Sequence, residues 1–304
     1  MANNHQISLE AIKLGTQNFS NSNCIGEGRF WKLYEGEVAD DNGRTPIVAK
    51  RWNRKSSQRY IRFLTELDTL SWLKDERIVA LVGYCSEMDE NIIVYKHASN
   101  GRLDKHLGDP SLTWRKRLKI GIDVANGLKF LHRRGKIPRV HRNIKSGSIL
   151  LDGDWNAKIS NFEFIATNDY LSRAEHVIDD ISCDSLGYMD QYQDYPELTY
   201  RSDIYSLGVV LIEMLCGRLA WGEGCENHYL SLGPLAVEHY NSKGNIDEMI
   251  FKGTKEQIAL ESLTTYLTIA LKCLSFDWDR PEASDVAMQL NKALKFQVSF
   301  DTFI

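Results

Sequence analysis

The sequence predicts an α+β protein of two lobes: a small β-rich N-terminal lobe carrying one helix, then a larger, mainly helical C-terminal lobe. Three observations predict it. Up to residue 97 the apolar residues gather in short β-branched and aromatic runs, the mark of strands. Beyond Gly101 they recur at helical spacing over long segments. The chain has 304 residues, 43% hydrophobic and 26% charged, enough to bury the core of one large domain or of two lobes.

The first lobe opens with IGEGRFWKLYEGEV, a Gly-rich turn between two strand-like runs. Gly26 and Gly28 suit either a plain hairpin turn or a loop whose backbone N–H groups approach phosphates closely. A turn at DDNGRTP leads into the strand TPIVAKRW, which carries Lys50. In SSQRYIRFLTELDTLSWL, Tyr60, Phe63, Leu64, Leu67 and Leu70 recur at helical spacing and predict the lobe's helix. Glu66 borders the buried face of that helix. VGYCS and NIIVYKH read as further strands, the second holding Tyr95 and Lys96.

In the second lobe, LTWRKRLKIGIDVANGLKFLHRRG places Leu118, Ile122, Ala125 and Leu128 on one stripe, with Thr113 as its N-cap. SDIYSLGVVLIEMLCG is apolar nearly all round, as a helix at the centre of a lobe is. KEQIALESLTTYLTIALKCL and EASDVAMQLNKAL are amphipathic closing helices. No repeat, low-complexity tract or Pro/Ser linker interrupts the chain. The predicted division is an N-terminal extension at 1–18, an N-lobe at 19–97, a C-lobe at 98–297 and a tail at 298–304.

Charge and cysteine usage narrow the function. A net charge of −4, with AKRWNRKSSQRYIR as the most basic stretch, excludes a nucleic-acid surface, which needs a clustered basic excess. The six cysteines contain no C-x-x-C pair and read as free thiols in a reducing compartment. MANNHQISLE has no apolar signal core, and Ala2 stands where a myristoylation signal needs glycine. The longest apolar run, YSLGVVLIEMLCG, is too short for a transmembrane segment and contains Glu213. The expected location is cytoplasmic.

TQNFSNSNCIGEG, GYCSEMDENIIVYKHASNGRL, ILLDGDWNAKIS and RSDIYSLGVVLIEMLCGR, in that order, resemble the protein-kinase domain of plant receptor-like (Pelle-type) kinases, in their receptor-like cytoplasmic branch. The resemblance covers nearly the whole chain. It implies the bilobal protein-kinase fold, with ATP held between the lobes. Gly26 and Gly28 would cover its phosphates, Lys50 would reach them while held by Glu66, and the hinge backbone from Tyr95 through Lys96 to Ala98 would hold adenine. It also implies Lys145 in the catalytic loop, structural roles for His141, Asp203 and Arg280, and for Arg142 a phosphate partner on the activation loop.

The chemistry departs from that pattern at three positions, the catalytic Asp and the two metal ligands. VHRNIKSGSILLD has the cadence of H-R-D-x-K-x-x-N, but Asn143 stands at the catalytic Asp and Ser148 at the metal-binding Asn. An amide cannot accept a proton as a carboxylate does. NFE replaces D-F-G, so Asn161 stands at the principal metal ligand and Glu163 at the glycine. Trp31 occupies the third glycine position of the nucleotide loop, where its ring either crowds the phosphates or packs outward. The P-E pair expected after Asp190 is missing, leaving Arg280 to pair with Asp190 or Glu197. On the acidic loop after Glu163, Asp184 stands in for a phosphate opposite Arg142, or is merely solvated.

These departures predict a pseudokinase with weak or absent ATP binding and poor Mg²⁺ binding. The group implies a scaffold, adaptor or allosteric partner of active receptor-like kinases or of an immune receptor, recruited by such partners to the plasma membrane. The rival expectation is a slow Ser/Thr kinase using Lys50 and Lys145. A third is a nucleotide-sensing switch without turnover.

Overall fold

Alternating burial along the early strands builds one antiparallel sheet. The computed structural model describes residues 5–40, 43–53, 57–133, 139–167, 183–190, 199–220 and 231–302; at 40, 57, 58, 167, 183 and 184 it describes the backbone alone. The chain divides into two compact units, Met1–Ser99 with Asn161–Phe164, and Asn100–Ser160 with Ile165–Ile304.

In the first unit a short helix, Leu9–Gly15 (α1), begins at Ser8, whose side chain accepts from the Ala11 N–H. Five strands follow: Cys24–Glu27 (β1), Trp31–Asp40 (β2), Gly43–Trp52 (β3), and, beyond helix Ser57–Trp72 (α2), Leu81–Cys85 (β4) and Asn91–Lys96 (β5). Their order is β1-β2-β3-β5-β4, and every pairing is antiparallel. The register sets Lys50 opposite Leu33 on one side and Ile93 on the other, and Trp31 opposite Trp52. Since side chains alternate along a strand, Lys50 and Trp52 share a face of the sheet.

One core lies between α1 and the sheet, with Leu9, Ile12, Tyr34, Val38, Ile47, Ala49, Ile92 and Val94 in a single buried cluster. The helix α1 thus packs on the sheet through the first part of the chain. On α2, Phe63 and Leu70 are buried, whereas Tyr60 and Leu64 of the same apolar stripe are exposed. Glu66 is wholly buried, deeper than the border position its spacing suggests.

The second unit is mainly helical, as expected. Its strands are short: Gly101–Arg102 (β6), Arg139–Val140 (β7), Ile149–Leu151 (β8), Ala157–Ile159 (β9) and Ala166–Thr167 (β10). They form the sheets β6-β8-β9 and β10-β7. Its main helices are Trp114–Arg133 (α3), Tyr200–Cys216 (α4), Leu232–Lys243 (α5), Lys252–Lys255 (α6), Leu260–Cys273 (α7) and Ala283–Thr302 (α8). Thr113 Oγ1 accepts from the Lys116 N–H at 3.5 Å at the start of α3. From Ser202 to Cys216, α4 is buried at every residue but Ser206, as its all-round apolarity requires. It begins with a Thr199–Ser202 capping box and ends at Gly217, whose φ of 67° is the left-handed conformation glycine adopts without strain.

The β-rich unit with its helix, followed by the helical unit, is the mixed α+β arrangement of the bilobal kinase fold. Among the described residues no helix is long and apolar enough to cross a membrane. The described cysteines Cys24, Cys85, Cys216 and Cys273 are free thiols.

Candidate functional site

Lys50 is enclosed from four sides within the first unit. Its Nζ donates to Glu66 Oε2 at 2.7 Å and to Glu163 Oε2. It lies 4.7 Å from the ring centroids of both Trp31 and Trp52. The lysine side chain is 1% exposed, Glu66 0% and Glu163 7%, so all three charges are held away from solvent. One ammonium serves two carboxylates and the faces of two indoles, an arrangement worth more in a desolvated site than at a surface.

Each wall of this enclosure has a local cause. Register in β3 aims Lys50 and Trp52 to the same side of the sheet. Phe63 and Leu70 pin α2 to the core, turning Glu66 inward. The Phe162 N–H donates to Glu66 Oε1 at 3.2 Å, which ties the NFE segment to the helix. Glu163 then reaches Lys50 with one oxygen and accepts from Trp31 Nε1 at 3.3 Å with the other. Trp31 therefore folds inward, against Lys50 and Glu163, and does not pack outward. A Cβ at Gly28 would come within 2.7 Å of the Trp31 ring, so this glycine is what admits the indole against the loop.

The charges respond to one another. Burial opposes the Lys50 charge, but Glu163 and then Glu66 outweigh it and hold its pKa above the ordinary lysine value. Burial raises the Glu66 pKa; Lys50 pulls it back and Glu163 adds to the rise. The Tyr95 hydroxyl is pushed well above the usual phenol range, first by burial and then by the Glu66 charge.

Of the remaining nucleotide-loop and hinge candidates, Gly26 pairs with Leu33 across β1 and β2, and the Gly28 N–H donates to the Trp31 carbonyl at 2.8 Å. Lys96 is exposed and its N–H donates to the Ala80 carbonyl at 2.9 Å. Ala98 is 9% exposed. Asn161 takes a positive φ of 66°, which asparagine tolerates better than most residues.

A second cluster of candidates meets in the helical unit. Asp203 on α4 accepts from the backbone N–H groups of His141 and Arg142 at 2.8 and 2.9 Å, and its Oδ2 bonds His132 Nε2 at 2.9 Å. These bonds hold the catalytic-loop backbone, including Arg142 with its φ of 69°. The Asn143 N–H donates to His141 Nδ1 at 3.2 Å, so Nε2 carries the ring proton and donates to the Ser160 carbonyl at 2.9 Å.

Asn143 Oδ1 accepts from the Ser185 hydroxyl at 3.3 Å, and Lys145 Nζ donates to Ser185 Oγ at 3.0 Å. Ser148 is buried with its hydroxyl donating to the Asn143 carbonyl at 2.8 Å. Burial lowers the Arg142 pKa against the pull of Asp203. Its Nε and Nη2 are buried without a hydrogen-bond partner among the described residues. The Asp184 side chain proposed for it lies outside the described residues, as does Glu197.

Arg280 has a partner: its Nη1 donates to Asp190 Oδ2 at 2.6 Å, both side chains being at most 1% exposed. Asp190, one of the two acids left open, is thus a partner of Arg280.

Ser148 and Asn161 offer neutral oxygens, where Mg²⁺ prefers at least one carboxylate. Among the described residues no three His, Cys, Asp or Glu side chains gather to hold a metal.

Two features of the Lys50 enclosure escape sequence reasoning. Trp52 carries no motif, and only its register two places beyond Lys50 marks it. The Lys50–Glu163 pair spans 113 positions and leaves no local pattern.

Comparison with known proteins agrees with this geometry. The family described as protein tyrosine and serine/threonine kinase matches residues 19–289. Among curated relatives from Arabidopsis thaliana, the receptor-like protein kinase HERK 1 is 38% identical over 299 residues, covering 97% of this chain and 35% of the relative. The receptor-like protein kinase ANXUR2 is 39% identical over 301 residues, 97% of this chain and 34% of its own length. The receptor-like protein kinase FERONIA is 38% identical over 297 residues, 96% of this chain and 33% of its own. The chain thus spans about a third of the length of these relatives. With a match that runs from the Gly-rich loop through the Lys50–Glu66 pair to the helix beyond Arg280, this chain belongs to the protein kinase family, as a kinase domain homologous to plant receptor-like kinases.

Proposed function

We propose that this kinase domain is a pseudokinase of the receptor-like cytoplasmic type: a signalling scaffold, adaptor or allosteric partner with impaired phosphoryl transfer and weak or no ATP binding. The observation that carries the reading is the catalytic loop. An amide, Asn143, holds the base position, hydrogen-bonded to Ser185, and a buried serine, Ser148, holds the metal-ligand position. Phosphoryl transfer depends on positioning and on metal-assisted charge neutralisation. Losing the base costs roughly 10²–10⁴ in rate, and the metal ligands act with it as a unit. The anchoring of the loop by Asp203 is intact, so the frame persists without the reacting groups. In this reading the partners are active receptor-like kinases or an immune receptor, met in the cytoplasm or at the plasma membrane.

The rival, a slow Ser/Thr kinase, draws on the Lys50–Glu66 ion pair at 2.7 Å and the Lys145–Ser185 hydrogen bond at 3.0 Å. Intact-mass measurement separates the two. The protein is incubated with ATP and Mg²⁺ or Mn²⁺, alone, with a Lys50→Ala control, and with an active receptor-type kinase as donor. No incorporation alone, but modification by the donor, is the expected result. Incorporation without the donor that disappears in the control overturns the reading.

A further inference from the structure

We infer that Glu163 is a built-in competitor for nucleotide phosphate, a carboxylate of the chain itself that occupies Lys50 and is latched there by Trp31. The inference deepens the pseudokinase reading, from which it takes the weak nucleotide affinity that it explains. It names the residue that sets that affinity.

A lysine that recognises phosphate must offer it N–H donors in a site without excess negative charge. Lys50 has at most one donor left, in a site with two carboxylates. Two of its donors go to Glu66 and Glu163, and two indole faces lie over the ammonium. With both carboxylates ionised, the cluster has one negative charge in excess. An incoming phosphate meets net repulsion and must also expel a side chain that is only 7% exposed. Glu163 in turn is held at both oxygens, by Lys50 and by the Trp31 indole N–H at 3.3 Å. Glycine at position 28 lets the indole lie against the loop.

Both latch residues stand where the family pattern has glycine, so neither position supplies a competing side chain in that pattern. Removing Glu163 leaves Lys50 and Glu66 as a balanced, buried pair. The lysine keeps a partner while the excess negative charge disappears. Glu163 therefore differs from Glu66, whose loss would strip the lysine of its helical support.

The test is equilibrium binding of N-methylanthraniloyl-ADP, with and without Mg²⁺, to the unmodified protein, Glu163→Gly and Glu163→Gly/Lys50→Ala. Glu163→Gly should bind at least tenfold tighter than the unmodified protein, and the double variant should lose that gain. Glu163→Gln, which keeps the volume and removes the charge, should gain at least threefold. It serves as the test if circular dichroism shows that the glycine variant does not fold. Equal affinity of unmodified and Glu163-substituted protein overturns the inference, as does a gain that survives loss of Lys50. Phosphate incorporation by the unmodified protein overturns the pseudokinase reading instead. The affinity ratio between unmodified and substituted protein tests Glu163 whatever that assay gives.

Discussion

Asp190 and Arg280 form a buried ion pair at 2.6 Å, with Asp190 replacing the glutamate that the family pattern would place two residues later. The guanidinium also donates to the carbonyls of Ser275 and Arg201, at 2.8 and 3.3 Å. It thereby joins the end of the activation segment to the loop before α8 and the start of α4. Removing one partner of a buried pair strands the other charge. Asp190→Ala should therefore destabilise the fold by about 3–5 kcal/mol, read as a lower urea midpoint. A loss under about 1 kcal/mol, typical of an exposed pair, would show that the bridge does not hold the segment.

Asp203 holds the catalytic-loop backbone through the N–H groups of His141 and Arg142 and bonds His132 as well. Asp203→Ala leaves two backbone donors without their acceptor, at about 1–3 kcal/mol each. The amides of His141 and Arg142 should then lose hydrogen-exchange protection before the rest of α3 and α4. Unchanged protection at those two amides would mean that the loop is held by other contacts.

Glu213, wholly buried on α4, accepts from the Tyr188 hydroxyl at 2.5 Å and from the Ala220 N–H at 2.7 Å. Burial, against the pull of these donors, lifts its pKa from 4.5 to about 7. Between those values the folded chain keeps a proton that the unfolded chain has released. Its contribution to stability is thus full below pH 4.5 and is lost as the pH rises through about 7. The loss is on the order of 3 kcal/mol. Glu213→Gln keeps an acceptor without the charge and should flatten this part of the stability–pH curve. If the curves of the parent and variant run parallel from pH 4.5 to 7, Glu213 is not the group responsible.

On the pseudokinase reading, a carboxylate at position 143 alone should not confer catalysis. Asn143→Asp places a carboxylate beside the Ser185 hydroxyl, yet Ser148 and Asn161 still offer no carboxylate to a metal. Because the groups act as a unit, the variant should show no more phosphate incorporation than the parent by intact mass. Clear incorporation by this single variant would mean that the metal positions tolerate their substitutions.

The α2 helix shows how far periodicity carries. Five apolar positions at helical spacing predict the helix, but Phe63 and Leu70 are buried while Tyr60 and Leu64 face solvent. Spacing defines a stripe; the width of the surface that covers it belongs to the sheet. Glu66 lies inside that covered width and so is wholly buried beside Lys50.

The sequence by itself determined the two-lobed α+β fold, the order of the kinase motifs and the substitutions Asn143, Ser148 and Asn161 within them, because residue identity and short-range periodicity carry all three. Tertiary structure decided the partners. Asp190 meets Arg280 across 90 positions, the Trp31 indole turns inward, and Glu163 closes on Lys50 across 113. Such pairings leave no local trace, since a buried charge takes whichever opposite charge the packed backbone brings within hydrogen-bond reach, and distance along the chain does not enter that choice.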